Sequence, residues 1–546
     1  MAKRKREAAD EPQSERLPKG QGQGQKSNSN KTKGESKSKS KGKGKSKGGT
    51  QLPQTAQVQA LAHRNGPVAV AVAASGGSNA ADREAATATA LASGDAITVQ
   101  VITGSYERVL HGFTAAIPRL LVTTHDHTTT HDTPEVDFSD TFLFNAHASA
   151  IRCLALTPPT NESSKVTLAT GSTDERINLY SLSTAPPALS KIKSTLPVLH
   201  GASIAENSKN KELGSLLHHS ATVTALYFPS RSKLLSAGED SAVTITRTRD
   251  WAPLSTIKAP IPKPQGRPSG DTAAPGEVPS GINDFAVHPS MKLMVSVGKG
   301  EKCMRLWNLV TGKKAGVLSF SREILESVGE GRFGSGEGRR VVWDPEGEEF
   351  AVAFERGVVI FGIDCKPKIK ILPTPRTKVH QMHYLPANSH AGTLLVATED
   401  GRIMVYNTNA TTEAASSSDK NDDVPTSALV AQLGGPAAGI SGRVKDFELV
   451  QIPDVPSTFL VVTGSSDGAI RLWSLETAKL KANTQPDKID DFTSKQVGRL
   501  LGNYSTGTRI TCLKAFVMTG SAEEAEEEEQ RFPEENGEIS TDDDSE

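Results

Sequence analysis

"VTGSSDGAIRLWSL", residues 462–475, sets Asp467 inside a Ser-Ser-Asp-Gly turn and Trp473 six places further along an alternating run. Alternation of apolar and polar residues is the period of a half-buried strand, and Ser-Asp-Gly is turn chemistry, so the stretch reads as strand, tight turn, strand. Asp467 and Trp473 then share one hairpin, either as a place where chemistry happens or as a device that holds two strands together.

Recurrence separates the two readings. The same spacing of a turn acid and an aromatic recurs as Glu107 with Phe113, Asp174 with Tyr180, Glu301 with Trp307, Glu355 with Phe361, and Asp400 with Tyr406. A seventh copy, "LLSAGEDSAVTITRTRDW", has Asp240 in the turn but Thr246 at the aromatic place. Successive acids lie 67, 66, 61, 54, 45 and 67 residues apart, longer than compact repeats of roughly 40 to 45 residues, so the excess belongs to loops.

Upstream of each later motif runs a further strand: "IRCLAL", "VTALYF", "INDFAV", "RVVWD", "VHQMHYL" and "VKDFELV", six in all. The seventh is displaced to the far end as "RITCLKAFV", residues 509–517. The reading that uses every piece is an all-β, seven-bladed propeller of four-stranded sheets over residues 97–518, its C-terminal strand becoming the innermost strand of the first blade. Such closure covers the edge that the first blade would otherwise leave open.

The flanks are of another kind. Residues 1–50 hold fifteen Lys or Arg against five acids, and residues 522–546 hold thirteen acids against Arg531, so the formal net charge of -1 conceals two opposed tails. "KSNSNKTKGESKSKSKGKGKSKGG" contains no apolar residue and cannot repay the entropy of ordering, so 1–50 and 519–546 are expected to be disordered, with 51–96 a low-complexity linker. "KRKR", Lys3, Arg4, Lys5 and Arg6, is a candidate nuclear address. The Lys-rich arm behind it suits salt-sensitive, sequence-indifferent contact with RNA phosphates. Ser540 and Thr541 each precede an acid by three residues, a pattern that acidophilic kinases favour. No run of eighteen apolar residues occurs, and Cys153, Cys303, Cys365 and Cys512 match no zinc or CxxC spacing. A soluble, intracellular chain without membrane contact is expected.

The repeats resemble WD repeats. "GSYERVLHGF", "GSTDERINLYSL", "GSLLHHSATVTALYF", "GEDSAVTITRTRDW", "VHPSMKLMVSVGKGEKCMRLWNLVTG" and "GRVKDFELVQIP" together resemble the PAK-interacting WD-repeat proteins, the family of the yeast Mak-eleven protein. The resemblance implies a nucleolar, nuclear factor in large (60S) ribosomal subunit assembly and rRNA processing, bound to pre-60S assembly factors and ribosomal-like proteins. It implies as an alternative a negative regulator that binds a PAK-type kinase. It also implies that the turn acid accepts from a His before the inner strand and joins a strand Ser or Thr and the aromatic. Those structural residues here are His147, Thr170, Asp174 and Tyr180; His219, Ser236 and Asp240; Glu301 and Trp307; Asp400 and Tyr406; Asp467 and Trp473. Departures are Thr246 in place of Trp, and Glu301 in place of Asp after a one-residue insertion.

Groups of Ser or Thr, His and Asp suggest a hydrolase triad, but an acid locked in a tight turn satisfies local donors, whereas catalysis needs an exposed nucleophile. "HDHTTTHD", with His125, His127 and His131, has irregular spacing for a metal. "GKS" at Gly44–Ser46 lacks the phosphate loop's glycine at position 39, which is Lys. No catalytic residue, cofactor, metal or small-molecule substrate is therefore expected, and the chain reads as a non-enzyme.

With strands ordered from the inside out, inserts at about 115–140, 183–211, 408–428 and 476–495 all join third to fourth strands of neighbouring blades. They should crowd one face. "KAPIPKPQGRPSGDTAAPGEVPSG" joins two blades on the opposite, tidier face. That face is the expected docking surface, with Glu107, His218, His219, Arg443, Lys445 and Asp446 as candidate partner-binding residues.

Overall fold

The computed structural model describes residues 96–123, 135–160, 163–186, 209–261, 280–330, 334–386, 391–411, 424–440, 442–453, 455–482 and 495–519. Lys3 to Arg6 and the rest of the basic segment, residues 51–95, the histidine-rich loop, the Pro/Gly linker over 262–279 and the acidic segment lie outside them.

Among the described residues twenty-eight strands form seven four-stranded antiparallel sheets. Six take four consecutive strands, with innermost members Ile151–Leu156, Val223–Ser230, Ile282–Val287, Arg340–Trp343, Val379–Tyr384 and Val444–Gln451. The first sheet instead puts Ile510–Val517 inside Ala96–Ser105. Each innermost strand touches the next, and the last returns to the first, which makes the ring of a seven-bladed β-propeller.

The closing register pairs Val99 with Val517, Val101 with Ala515 and Thr103 with Leu513. The Met518 N–H donates to the Thr98 carbonyl at 2.9 Å. Backbone groups that an open ring would leave unpaired are thereby satisfied.

Burial follows the layer each strand occupies. Middle strands are covered on both faces by adjacent blades, so "TFLVVTGS" (458–465) and "TLLVAT" (393–398) are buried at every residue and read as continuous apolar runs. Outer strands such as Lys211–Leu216 are largely exposed. The core is a set of wedges between blades: Val462 and Leu472 of blade 7 pack with Val99, Phe113 and Leu513 of blade 1. Phe113 and Phe447, both 0% exposed, are each worth about 1.5–3 kcal/mol of burial.

The hairpin turn between second and third strands has one geometric need. The residue after the acid has positive φ in five blades: Arg108 (73°), Glu175 (69°), Ser241 (60°), Gly401 (85°) and Gly468 (86°). Glycine meets that need without steric strain; a Cβ at Gly468 would also stand 2.8 Å from the Thr508 carbonyl oxygen. In blade 4 the left-handed residue is Gly300, before Glu301. The inserted residue there shifts the acid past the bend, where a longer side chain reaches back.

Because strands alternate direction, every turn acid lies on the face where inner strands enter the ring, and third-to-fourth connections emerge on the other. The described feet of those connections are built into the sheets. Arg119–Thr123 and Thr477–Ala482 are short helices. Pro425 accepts from Lys370 N–H at 2.8 Å at the edge of blade 5, and Lys495 accepts from Gln432 N–H at 2.9 Å at the edge of blade 6. The inserts therefore protect outer edges of the preceding blades.

Candidate docking face and its internal fasteners

Blades 2 and 3 join the histidine, the turn acid and the strand hydroxyl. His147 Nδ1 donates to Asp174 at 3.0 Å, leaving Nε2 to accept from the Thr170 hydroxyl at 2.7 Å. His219 Nδ1 lies 3.0 Å from Asp240, and Nε2 lies 2.8 Å from Ser236 Oγ. Asp174 also accepts from the Ala148 and Arg176 N–H groups at 2.9 and 3.1 Å. One carboxylate thus ties the entry of the inner strand to its own turn. Burial alone raises the Asp174 carboxyl, but the Ala148 N–H, the His147 ring and the Arg176 N–H outweigh it and leave the group below its usual range. Asp240 is lowered in the same way against its burial, chiefly by His219.

The connectivity of Ser236, His219 and Asp240 is that of a hydrolase triad. Ser236 and Thr170 are nevertheless 0% exposed, so no substrate carbonyl can approach either hydroxyl, and the arrangement is a fastener rather than a nucleophile.

The other blades do the same work differently. In blades 4, 6 and 7 an arginine of the following strand takes the histidine's place: Arg305 on Glu301, Arg402 on Asp400, and Arg471 on Asp467 at 3.8 Å. Trp307 Nε1 donates to Ser296 Oγ at 2.8 Å, and the Thr398 hydroxyl donates to Asp400 at 2.5 Å. Asp467 is 44% exposed in its side chain, so the copy that announces the motif is the loosest of these fasteners. Tyr180 meets Phe144 edge-on at 5.6 Å. Tyr406 donates to the Met404 sulfur at 3.6 Å, and Trp473 is buried among Leu433, Ile440 and Phe447. Thr246 is 0% exposed, and its hydroxyl lies 3.2 Å from His218 Nδ1.

Of the partner-binding candidates, Arg443 and Lys445 stand at the ring entry, Arg443 53% exposed in its side chain and 3.3 Å from Glu399. Glu107 Oε2 accepts from the Arg509 N–H at 2.9 Å, the same service that Asp174 gives Ala148. His219 belongs to the blade 3 network and His218 to Thr246. Asp446 turns inward: at 7% exposure it accepts from Gln381 Nε2 at 3.0 Å and Leu513 N–H at 2.9 Å, spanning blades 6, 7 and 1. Asp284 holds Val341 N–H at 3.0 Å in the same manner between blades 4 and 5. Aligning "INDF" with "VKDF" puts the two acids at one position, which is the signal that sequence reading passed over.

The inner strands of all seven blades line a central cavity of about 580 Å³. Lys514 and Glu448 pair inside it at 2.5 Å. Cys153 and Cys512 also face it, and burial pushes both thiols up, Cys512 to about 12, so neither supplies a thiolate nucleophile. Among the described residues no three His, Cys, Asp or Glu gather into a metal-ligand set, and no helix is long and apolar enough to cross a membrane.

No protein-family profile matches the chain. A p21-activated protein kinase-interacting protein 1-like of Danio rerio is 26% identical over 79% of this chain and 83% of its own length. Protein MAK11 of Saccharomyces cerevisiae is 28% identical over 70% and 80%. Shk1 kinase-binding protein 15 of Schizosaccharomyces pombe is 23% identical over 48% and 60%. The propeller and these relatives fit a non-catalytic scaffold. With seven blades closed by their last strand, the chain is similar across most of its length to the PAK-interacting proteins and to MAK11.

Proposed function

We propose that this chain is a non-enzymatic WD-repeat scaffold in assembly of the large (60S) ribosomal subunit, acting in the nucleolus during pre-rRNA maturation and binding pre-ribosomal assembly factors. The observation that carries the reading is the inward commitment of the polar machinery. The two groups that resemble a triad end in Thr170 and Ser236, both 0% exposed, and what the ring offers a partner is surface rather than chemistry. Kinship with MAK11 supports the ribosomal assignment through the family resemblance. Lys3 to Arg6 serve as nuclear address, and the fifteen cations of residues 1–50 contact pre-rRNA phosphates without reading bases. Sucrose-gradient sedimentation of cell extract tests this: the chain should travel with large-subunit precursors, and a pool confined to the free fractions overturns it.

A second reading is favoured by names among the relatives, which include p21-activated protein kinase-interacting proteins and an Shk1 kinase-binding protein. It makes the chain a negative regulator that occludes the regulatory domain of a PAK-type kinase. Direct binding to that domain, with loss of kinase activity and no precursor association, would select it.

A further inference from the structure

Six of the seven inner strands begin with one unpaired extra residue: Thr511, Arg152, Thr224, Asn283, His380 and Lys445. Such a bulge re-aims the side chain it inserts. In blades 1, 3 and 4 the inserted groups are neutral and satisfy the next blade's backbone. Thr511 and Thr224 donate to the Ile151 and Ile282 carbonyls, each at 2.6 Å, and Asn283 donates to the Gly338 carbonyl at 2.9 Å.

Around blades 5 to 7 the belt changes character. Arg340 Nε donates to the His380 carbonyl at 3.4 Å, and Lys445 Nζ meets His380 Nε2, rather than a carboxylate, at 3.4 Å. Lys378 and Arg443 flank the pair, held by Glu355 at 2.9 Å and Glu399 at 3.3 Å. Arg509 continues the rim, its guanidinium 5.5 Å from the centre of the Tyr106 ring, and Tyr106 is 60% exposed. Burial, then Lys445, Arg340, Arg443 and Lys378, drive the His380 ring down to about 4. Burial and then Arg443 lower Lys445, against the pull of Glu399. Crowding of one sign in a half-buried recess opposes the charged forms in the free protein, and an arriving anion relieves it.

We propose that the ring mouth over blades 5 to 7, built by Lys378, His380, Arg443 and Lys445, docks an acidic peptide segment of a partner protein, one carboxylate entering between Lys445 and His380. This deepens the scaffold reading above, and rests on it, by naming the partner's chemistry. A peptide fits better than a nucleic acid for two reasons. Lys445 and His380 are half-buried, which suits a single carboxylate better than the evenly spaced charges of a phosphate chain. Glu355 and Glu399 interrupt the outer cations, which repels a continuous string of phosphates. Among the described residues Tyr106 is an exposed ring at this rim, one platform where strand binding uses several.

Fluorescence anisotropy with the full chain tests it, using a labelled hexaglutamate peptide and, separately, a labelled oligouridylate. The peptide should bind the parent. Arg443→Glu with Lys445→Glu should weaken it at least about tenfold, while Lys313→Glu with Lys314→Glu on the outer strand of blade 4 should leave it unchanged. Oligouridylate binding should be the same in all three proteins. Equal peptide binding by parent and mouth variant, no peptide binding by the parent, or mouth-dependent oligouridylate binding each overturns the proposal. Thermal melts establish that the variants are folded. Sedimentation keeps the two readings apart. A parent that never meets precursors sinks the scaffold role itself, whereas a mouth variant that loses the peptide yet still travels with precursors overturns the mouth as their docking point and leaves the scaffold standing.

Discussion

Glu107 Oε2 accepts a hydrogen bond from the backbone N–H of Arg509 at 2.9 Å across 402 positions of sequence. The acid of the first turn thus fastens the last strand, and the Tyr106 N–H donates to the Arg509 carbonyl at 2.9 Å beside it. Glu107 is exposed, which limits its worth. Glu107→Ala should lower unfolding free energy by about 1 kcal/mol, with Glu107→Gln intermediate, measured by urea denaturation. No change in either variant would mean that strand pairing alone seals the ring.

Asp446 is the costlier residue to lose. It is buried and accepts from Leu513 N–H and Gln381 Nε2, and removing it leaves both donors without an acceptor. Asp446→Ala should cost roughly 2–4 kcal/mol, since each orphaned buried group costs about 1–3 kcal/mol. A double-mutant cycle with Gln381→Ala should give a coupling of at least about 0.5 kcal/mol; additive effects would separate the two residues.

Acid should loosen the ring before the carboxylates titrate. Burial, then the Lys514 charge, hold His383 down to about 4 in the fold, below the value of about 6.5 in an unfolded chain. A depressed group stabilises fully above its unfolded pKa and loses that contribution as pH falls through the folded one. Between about pH 7.5 and pH 5 His383 should account for a drop of roughly 1–2 kcal/mol, and because His380, also held down to about 4, adds its own share, His383→Phe should lessen the slope without abolishing it. Asp174 and Asp240, also held low, add a further loss below about pH 4. A slope unchanged in His383→Phe would exclude this histidine as its source.

Thr246 is no degraded aromatic site. Its fully buried hydroxyl faces His218 at 3.2 Å, and restoring the motif with Thr246→Trp should overpack blade 3 and destabilise it by about 1–3 kcal/mol. A raised melting temperature would show unused space at this position.

Two turns measure the strain of the left-handed residue. Glu175→Gly should raise the melting temperature and Gly468→Ala should lower it, because the bend asks for positive φ at both (69° and 86°) and a side chain there costs about 1–2 kcal/mol. Equal shifts in one direction would contradict this account of the hairpin.

What the sequence determined by itself is the count and phase of the blades, the strand that closes them and the identity of the turn acids. These rest on local properties: the two-residue period of a strand and the chemistry of a bend are written in contiguous residues, and "RITCLKAFV" is legible as the displaced member because it has the pattern and no turn acid follows it. The His147–Asp174 pair was legible through the family resemblance, and Arg305 stands four residues from Glu301 in the same hairpin. Only the tertiary structure decided that Asp446 points between blades and that cations gather at the ring mouth, because both depend on which strand of a neighbouring blade comes opposite. That relation is set by wedge packing between segments far apart in the chain, and no local pattern encodes it.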